Sequence, residues 1–177
     1  MSVSDELLDV VDARDRVIDV KTRGEIHRLG LMHRAVHILL FNRYGELFLQ
    51  KRSMQKDESP GLWDSSAAGH VDSGESYLAC ARRELAEELG VVDPVNLREL
   101  FRLPAMPATG LEHCVVYRVI YDGKLTLQAE EIDAGDWIKP GDMDSRVAAA
   151  DPELTHNLVL IWRQYREMDV AGDTAPG

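Results

Sequence analysis

One stretch of the sequence, Gly69 to Val91 (GHVDSGESYLACARRELAEELGV), constrains the fold and the chemistry of this chain more than any other. Its second part predicts an amphipathic helix from Ser76 to Leu89, because apolar residues recur there at the spacing of one helix face. Gly90 follows the helix, at the position where glycine most often ends one. The segment 69–74 has a glycine at each end and predicts a loop. The core face of the helix is expected to comprise Leu78, Ala81, Leu85 and Leu89.

Three glutamates share the neighbouring face of this predicted helix. At 100° per residue, Glu84, Glu87 and Glu88 lie within about 60° of one another. Like charges four residues apart destabilise an isolated helix by a few tenths of a kcal/mol, and a bound cation would reverse that effect. Because Mg²⁺ prefers carboxylate oxygens and substrate phosphates, the cluster predicts a divalent-metal site. The alternative is a solvated helix whose acids pair with Arg82 and Arg83.

The spacing of the whole stretch resembles the Nudix box at every fixed position, namely Gly69, Glu75, Arg83-Glu84-Leu85, Glu87-Glu88 and Gly90-Val91. The resemblance implies an α+β fold, a mixed β-sheet sandwiched between helices (α/β/α). It implies hydrolysis of a nucleoside diphosphate linked to another group, with Mg²⁺ or Mn²⁺. The three glutamates would be catalytic and metal-binding, and Ala68 would offer its backbone carbonyl to the metal. The residues with a structural role in the motif would be Gly69, Glu75, Arg83 and Gly90.

A general base for such hydrolysis often comes from a separate loop. Phosphoryl transfer depends mainly on positioning and charge neutralisation, and a metal lowers the pKa of an attacking water. Glu130 and Glu131, shortly before Trp137, are the candidates for this base. Glu131 has the better spacing and is our predicted catalytic residue. Plain surface acids are the alternative for this pair.

Outside the box, the chain is similar to the type I isopentenyl diphosphate isomerases and to the Nudix hydrolases nearest to them. The similarity is carried by the N-terminal hairpin and helix and by LMHRAVHILLF, FLQKRSMQKDESPGLWDSSAAGHV and EEIDAGDW. It implies that His33, His70 and Glu112 match isomerase metal ligands, with His27 as a further candidate. It also implies that Arg52 and Lys56 match residues that grip a diphosphate. We therefore predict a substrate-binding set of Arg52, Lys56, His70 and Glu112.

The decisive isomerase positions disagree with isomerisation. The isomerase cysteine falls at Ala68, and alanine cannot transfer a proton, while Cys80 and Cys114 lie elsewhere in the sequence. A second isomerase glutamate falls near Gly110. The isomerases have lost most of the box acids, which this chain keeps, so hydrolysis is favoured. Core or pocket packing remains the alternative for His33 and His37, and exposed loop positions remain the alternative for Arg52 and Lys56.

The chain is expected to fold as one domain with an extension. Residues 1–30 would form an N-terminal hairpin and short helix, 31–169 the Nudix domain, and 170–177 a disordered tail. Thr22 and Glu25 have capping-box spacing, which predicts the start of the short helix. A last helix is predicted to begin at Asp151. The predicted strands are Leu7–Val11, Arg16–Val20, Ala35–Phe41 with its hairpin partner 46–52, 62–68, 95–103, 112–121, 125–127 and 136–138, the last two around an acidic loop, 129–135.

The composition bounds the partners. The formal net charge of -11 disfavours nucleic acid and anionic membranes, which require a basic surface. Two isolated cysteines, the acidic N-terminus and the lack of a long apolar run predict a cytoplasmic protein with reduced thiols. The expected partner is a small-molecule diphosphate, and a homodimer is left open. The runner-up function is a Nudix domain that binds a ligand as a sensor without cleaving it.

Overall fold

The structure is a computed structural model that describes residues 5–173. An antiparallel hairpin of β1 (Leu7–Val11) and β2 (Val17–Thr22) comes first, as predicted. Helix α1 (Arg23–Leu29) follows, and its capping box is formed: the Glu25 amide donates to the Thr22 hydroxyl, while the Glu25 carboxylate accepts from the Thr22 amide. The helix ends at Gly30 with a positive φ of 62°. Leu8, Val10 and Ile26 hold the hairpin and helix together.

The centre of the molecule is a seven-stranded mixed sheet. Its strands are β3 (His33–Phe41), β4 (Leu47–Arg52), β5 (Trp63–Asp64), β6 (Ala67–His70), β7 (Arg98–Leu103), β8 (Glu112–Ile120) and β9 (Ile132–Ile138). Strand β3, buried along almost its whole length, runs parallel to β8 and antiparallel to β6. Strand β8 also pairs with β7, while β4 pairs with β5 and β9.

Helices cover both faces of this sheet. Alternate residues of β3 point to opposite sides, so Ile38 and Leu40 pack against α2 (Tyr77–Leu89), with Leu85 and Leu89 in the same cluster. Leu39 and Phe41 face α3 (Pro140–Ala148) and α4 (His156–Asp173), in a second cluster. The predicted α/β/α arrangement is therefore confirmed.

Several strand predictions were wrong. Strands β3 and β4 share only the pair Phe41 and Leu47, because β6 pairs with residues 35–38 on that edge of β3 and β4 pairs along its length with β9. The strand predicted over 62–68 is two short strands, and Gly69 and His70 belong to β6 rather than to a loop. Residues 125–127 form no strand, and β9 begins at Ile132, inside the segment predicted as an acidic loop.

The helix boundaries also differ from the predictions. The last helix, α4, begins at His156 rather than near Asp151, and the Thr155 hydroxyl accepts a hydrogen bond from the Leu158 amide at its start. Helix α3, with a proline in its first turn, was not predicted. Leu78 is 37% exposed and is not part of the core face. Helix α4 extends to Asp173, and the remainder of the predicted tail, 174–177, lies outside the described residues.

None of the helices among residues 5–173 is both long and apolar enough to cross a membrane.

Candidate metal and substrate site

A cavity of about 670 Å³ opens between the sheet, helix α2 and three loops. These loops follow β4, follow β7 and precede β9. The predicted metal acids, the predicted base and all four predicted substrate-binding residues line it. The structure therefore brings together side chains that are more than 40 positions apart in the sequence. The predicted site residues that line the cavity are Arg52, Lys56, Ala68, Gly69, His70, Glu84, Glu87, Glu88, Glu112 and Glu131.

Two of the three box acids are buried. Glu84 is 8% exposed and Glu88 is 5% exposed, whereas Glu87 of the same helix is exposed to solvent. Glu88 accepts hydrogen bonds from the Gln50 side-chain amide at 2.9 Å and from the Ala68 backbone amide at 3.1 Å. These contacts tie the carboxylate to β4 and to β6, so its position does not depend on a flexible rotamer.

Burial governs the protonation of these acids. It raises the pKa of Glu84 to about 8, with the neighbouring Glu88 charge as the next cause. It raises the pKa of Glu88 to about 7, although the Ala68 amide and Gln50 act in the opposite direction. Two carboxyls that share a poorly hydrated site resist ionisation unless a cation neutralises them. Carboxylate oxygens are also the donors that hard divalent ions prefer, so the cluster fits Mg²⁺ or Mn²⁺.

Gly69 makes room for one of these carboxylates. A Cβ atom built on Gly69 would lie 2.0 Å from Oε1 and 2.2 Å from Cδ of Glu84. Any side chain at this position would therefore expel Glu84 from its place beside β6. The absence of a side chain is what allows Glu84 to lie against the backbone next to Ala68, which we predicted to supply a carbonyl ligand.

Arg83 joins the helix to the preceding loop. Its guanidinium donates to both carboxylate oxygens of Glu75, at 3.0 and 2.9 Å, and to the His70 carbonyl at 3.0 Å. The same group lies 2.6 Å from Glu84 and 3.3 Å from Glu87. Hydrogen bonding to Glu75 is the main cause that raises the pKa of Arg83. Arg83 thus holds the loop and balances part of the acid charge, while Gly90, with φ of 67°, ends the helix.

The loop that precedes β9 carries Glu131, the predicted general base. Glu131 lines the cavity and forms an ion pair with Lys56, and its carbonyl accepts from the Ser53 amide at 2.9 Å. The Gln128 amide donates to the Glu88 carbonyl at 3.0 Å, so this loop is attached to the end of α2. Glu130 is exposed and is not among the residues that line the cavity. The two adjacent acids therefore differ in position.

Two cationic side chains border the same cavity from α1 and β4. Arg52 donates to Asp64 at 3.3 Å and to the Glu58 carbonyl at 3.0 Å. Arg23 was not predicted; it lies 3.6 Å from Asp57, and its Nε is 3.4 Å from Nδ1 of His70. In the sequence, Arg23 is only a basic residue in the first turn of a predicted helix, and nothing there indicates that it borders the cavity.

Gln50 was also missed, although a signal was available. It is 2% exposed within the apolar strand β4, and a buried glutamine requires polar partners. His37 is likewise buried, and its Nδ1 lies 2.8 Å from the Ser65 hydroxyl.

Neither thiol is placed for acid–base work in the cavity. Cys80 and Cys114 are both buried, and burial raises the pKa of each. Among the described residues, the cavity lining includes neither cysteine. A protein thiol acts as a nucleophile or base in its ionised form, which burial disfavours here.

Comparison with known proteins agrees with this geometry. The NUDIX domain model matches residues 31–158. An uncharacterised Nudix hydrolase of Pseudomonas aeruginosa, PA4841, is 43% identical over 135 residues, which is 76% of this chain and 79% of that protein. An isopentenyl-diphosphate Delta-isomerase of Serratia proteamaculans is 38% identical over 136 residues, 75% of this chain and 76% of the isomerase.

The fold has a close counterpart among solved structures. The crystal structure of DR0079 from Deinococcus radiodurans superposes with a TM-score of 0.80 at 31% identity, covering 90% of this chain and 98% of that one. The predicted similarity to both hydrolases and isomerases of this superfamily is confirmed. The chain belongs to the Nudix family and is a Nudix hydrolase.

Proposed function

We propose that this protein hydrolyses a diphosphate bond in a nucleoside diphosphate linked to another group, or in a similar organic diphosphate. Glu84, Glu87 and Glu88, with the Ala68 carbonyl, would hold Mg²⁺ or Mn²⁺. Such ions neutralise phosphate charge and make a bound water more acidic. The single observation that carries the proposal is the pair of buried, close carboxylates of Glu84 and Glu88 facing the cavity.

The chain's own residues account for the other requirements. Arg52 and Lys56 line the cavity and can hold the anionic groups of the substrate. Glu131 can accept a proton from the attacking water, whose oxygen bonds to phosphorus as the bridging P–O bond breaks. The leaving phosphate or nucleotide carries away the electron pair of that bond. Gln50 and Arg83 keep the acids in place.

Two alternatives are less well supported. Isomerisation requires a group that protonates an alkene, yet Ala68 occupies the cysteine position and neither buried thiol lines the cavity. A ligand sensor without hydrolysis would need no intact acid cluster, whereas all three box glutamates are present here. Substrate binding without product over hours, in Mg²⁺ and in Mn²⁺, would favour the sensor.

The double substitution Glu84→Gln and Glu88→Gln tests the proposal. We expect phosphate or pyrophosphate release from a panel of organic diphosphates to fall by at least about 10²-fold, the scale on which loss of a charge-stabilising group acts. Circular dichroism and Tm should show that the fold is retained. Glu99→Gln, on β7 and outside the cavity, is the control that should keep wild-type turnover. Wild-type turnover in the folded double variant would refute the proposal.

A further inference from the structure

A buried carboxylate, that of Asp64, lies between the cavity and the start of the last helix. Asp64 is the second residue of the short strand β5 and is 4% exposed, yet it lines the cavity. Its Oδ1 accepts hydrogen bonds from the Ser65 amide at 2.8 Å and from the Thr155 hydroxyl at 2.9 Å. Its Oδ2 accepts from Nη1 of Arg52 at 3.3 Å. One oxygen therefore fixes the carboxylate, and the other holds Arg52.

Thr155 attaches this carboxylate to a well-anchored part of the fold. Its hydroxyl donates to Asp64 and accepts from the Leu158 amide at 3.2 Å, at the start of α4. Backbone hydrogen bonds join the same segment to β5: the Trp63 amide donates to the Glu153 carbonyl at 2.8 Å, and the Thr155 amide donates to the Trp63 carbonyl at 2.9 Å. The side chain of Asp64 is therefore restricted to one orientation.

Arg52 is held at the end of β4 with part of its guanidinium unused. Its Nε donates to the Glu58 carbonyl at 3.0 Å, and its Nη1 donates to Asp64. A guanidinium has five N–H donors, so these two contacts leave three. Within residues 5–173, Nη2 of Arg52 donates to no protein acceptor, and the side chain lines the cavity. The remaining donors are available to an anion in the cavity.

We propose that Asp64 is a positioning residue for substrate binding, which orients the Arg52 guanidinium so that its unused donors meet the diphosphate group. This role rests on the proposed function, in which Arg52 holds the anionic part of the substrate. The planar fork of an arginine binds a phosphate through two N–H groups only in a defined orientation. Fixing that orientation before the substrate arrives reduces the entropy that is lost on binding.

An ion pair that serves only the fold is the alternative. Arg43 and Asp122 form such a pair at the same separation of 3.3 Å, and neither residue lines the cavity. Arg52 and Asp64, in contrast, both line it, together with Lys56. If Asp64 acted on the fold alone, its loss would affect ligand binding equally in the presence and in the absence of the Arg52 guanidinium. The two explanations therefore predict different couplings.

Binding of imidodiphosphate, a diphosphate that resists hydrolysis, measures this role without turnover. Calorimetry in Mg²⁺ compares the wild type with Asp64→Asn. The Ser65 amide and the Thr155 hydroxyl retain the oxygen of the new amide, so its NH₂ group faces Nη1 of Arg52, and two donors cannot bond. We expect Kd to rise by about 10-fold, within the range of coupling between residues in contact. Asp122→Asn, the matched control, should bind as the wild type does.

A double-mutant cycle with Arg52→Gln distinguishes positioning from an effect on the fold. Arg52→Gln should also weaken binding, and Asp64→Asn should then have no further effect, because the group that it orients is gone. Additive losses, an unchanged Kd in folded Asp64→Asn, or no binding of imidodiphosphate by the wild type would overturn the inference. If Asp64→Asn does not fold, Thr155→Val replaces it in the cycle, with Thr155→Ser as the control that keeps the hydroxyl.

The outcomes separate this inference from the proposed hydrolysis. A protein that shows the expected cycle but cleaves no organic diphosphate would lose the proposed function and keep Asp64 as the positioning residue of a diphosphate-binding site. A protein that cleaves diphosphates but shows additive losses in the cycle would keep the proposed function and lose this role for Asp64.

Discussion

At the scale of single residues, the candidate metal site depends on the missing side chain at Gly69. A methyl group there would overlap Oε1 and Cδ of Glu84, which is 8% exposed and has little room to retreat. We expect Gly69→Ala to lower Mg²⁺-dependent turnover at least about 10²-fold and to weaken metal affinity, because Glu84 must leave its position. Turnover as a function of Mg²⁺ concentration checks this.

The control for that substitution is Gly141→Ala. Gly141 lies in α3, and an added Cβ there meets nothing within 4 Å. Replacing a helical glycine by alanine typically stabilises by up to about 1 kcal/mol, so this variant should be active and slightly more stable. Equal activity of the two variants would show that Glu84 can move without consequence.

At the scale of elements, the loop that leads into β9 distinguishes two adjacent acids. Glu131 lines the cavity beside Lys56, whereas Glu130 is exposed. If Glu131 is the general base, Glu131→Gln should reduce kcat by about 10²- to 10⁴-fold, the usual contribution of such a group. Glu130→Gln, the neighbouring control, should retain wild-type kcat. Single-turnover rates at saturating substrate measure both, and a reversed order would assign the base to Glu130.

Whether a feature could be predicted from the sequence depended on whether its residues lie within one element or on several. The spacing of Glu84, Glu87 and Glu88 lies within one helix, where local geometry fixes the shared face, so this cluster was accessible from sequence. The capping box at Thr22 was accessible for the same reason. Gln50 of β4 donates to Glu88 of α2 and to the carbonyl of Ser66, which precedes β6, so its position depends on the packing of segments that are distant in the sequence. Hydrophobic pattern alone does not specify which strands pair.

The errors have the same physical origin. An apolar run followed by a turn and a second run predicted a full β3–β4 hairpin, but the competing partner β6 pairs with residues 35–38 on that edge. Helix α3 is only nine residues long and has few apolar residues, with Met143 and Val147 as its buried positions. The convergence of His27, His33 and His70, whose ring centroids are 4.9 to 5.4 Å apart, likewise requires the folded arrangement of α1, β3 and β6.

At the scale of the whole molecule, the buried acids couple folding stability to pH. Glu84 and Glu88 have ordinary pKa values of 4.5, raised in the fold to about 8 and about 7. At pH values between 4.5 and about 8, the folded chain binds more protons than the unfolded chain, so stability falls as pH rises. Burial lowers the pKa of His27 below 6.5, which makes stability rise with pH. This opposing effect on stability is confined to more acidic solutions. Burial raises the thiol pKa values, which matters above about pH 8.5.

The metal-free protein should therefore lose stability between pH 6.5 and pH 8, by up to about 1.4 kcal/mol per pH unit for each extra proton held. Denaturant unfolding at several pH values in chelator measures this slope. The Glu84→Gln and Glu88→Gln double variant should flatten it, since neither amide titrates. Added Mg²⁺ should raise Tm more at pH 8 than at pH 6.5, because the ion competes with protons for the same oxygens. A slope unchanged by the double substitution would mean that other groups set the pH dependence and that the two carboxyls already ionise freely in the folded chain.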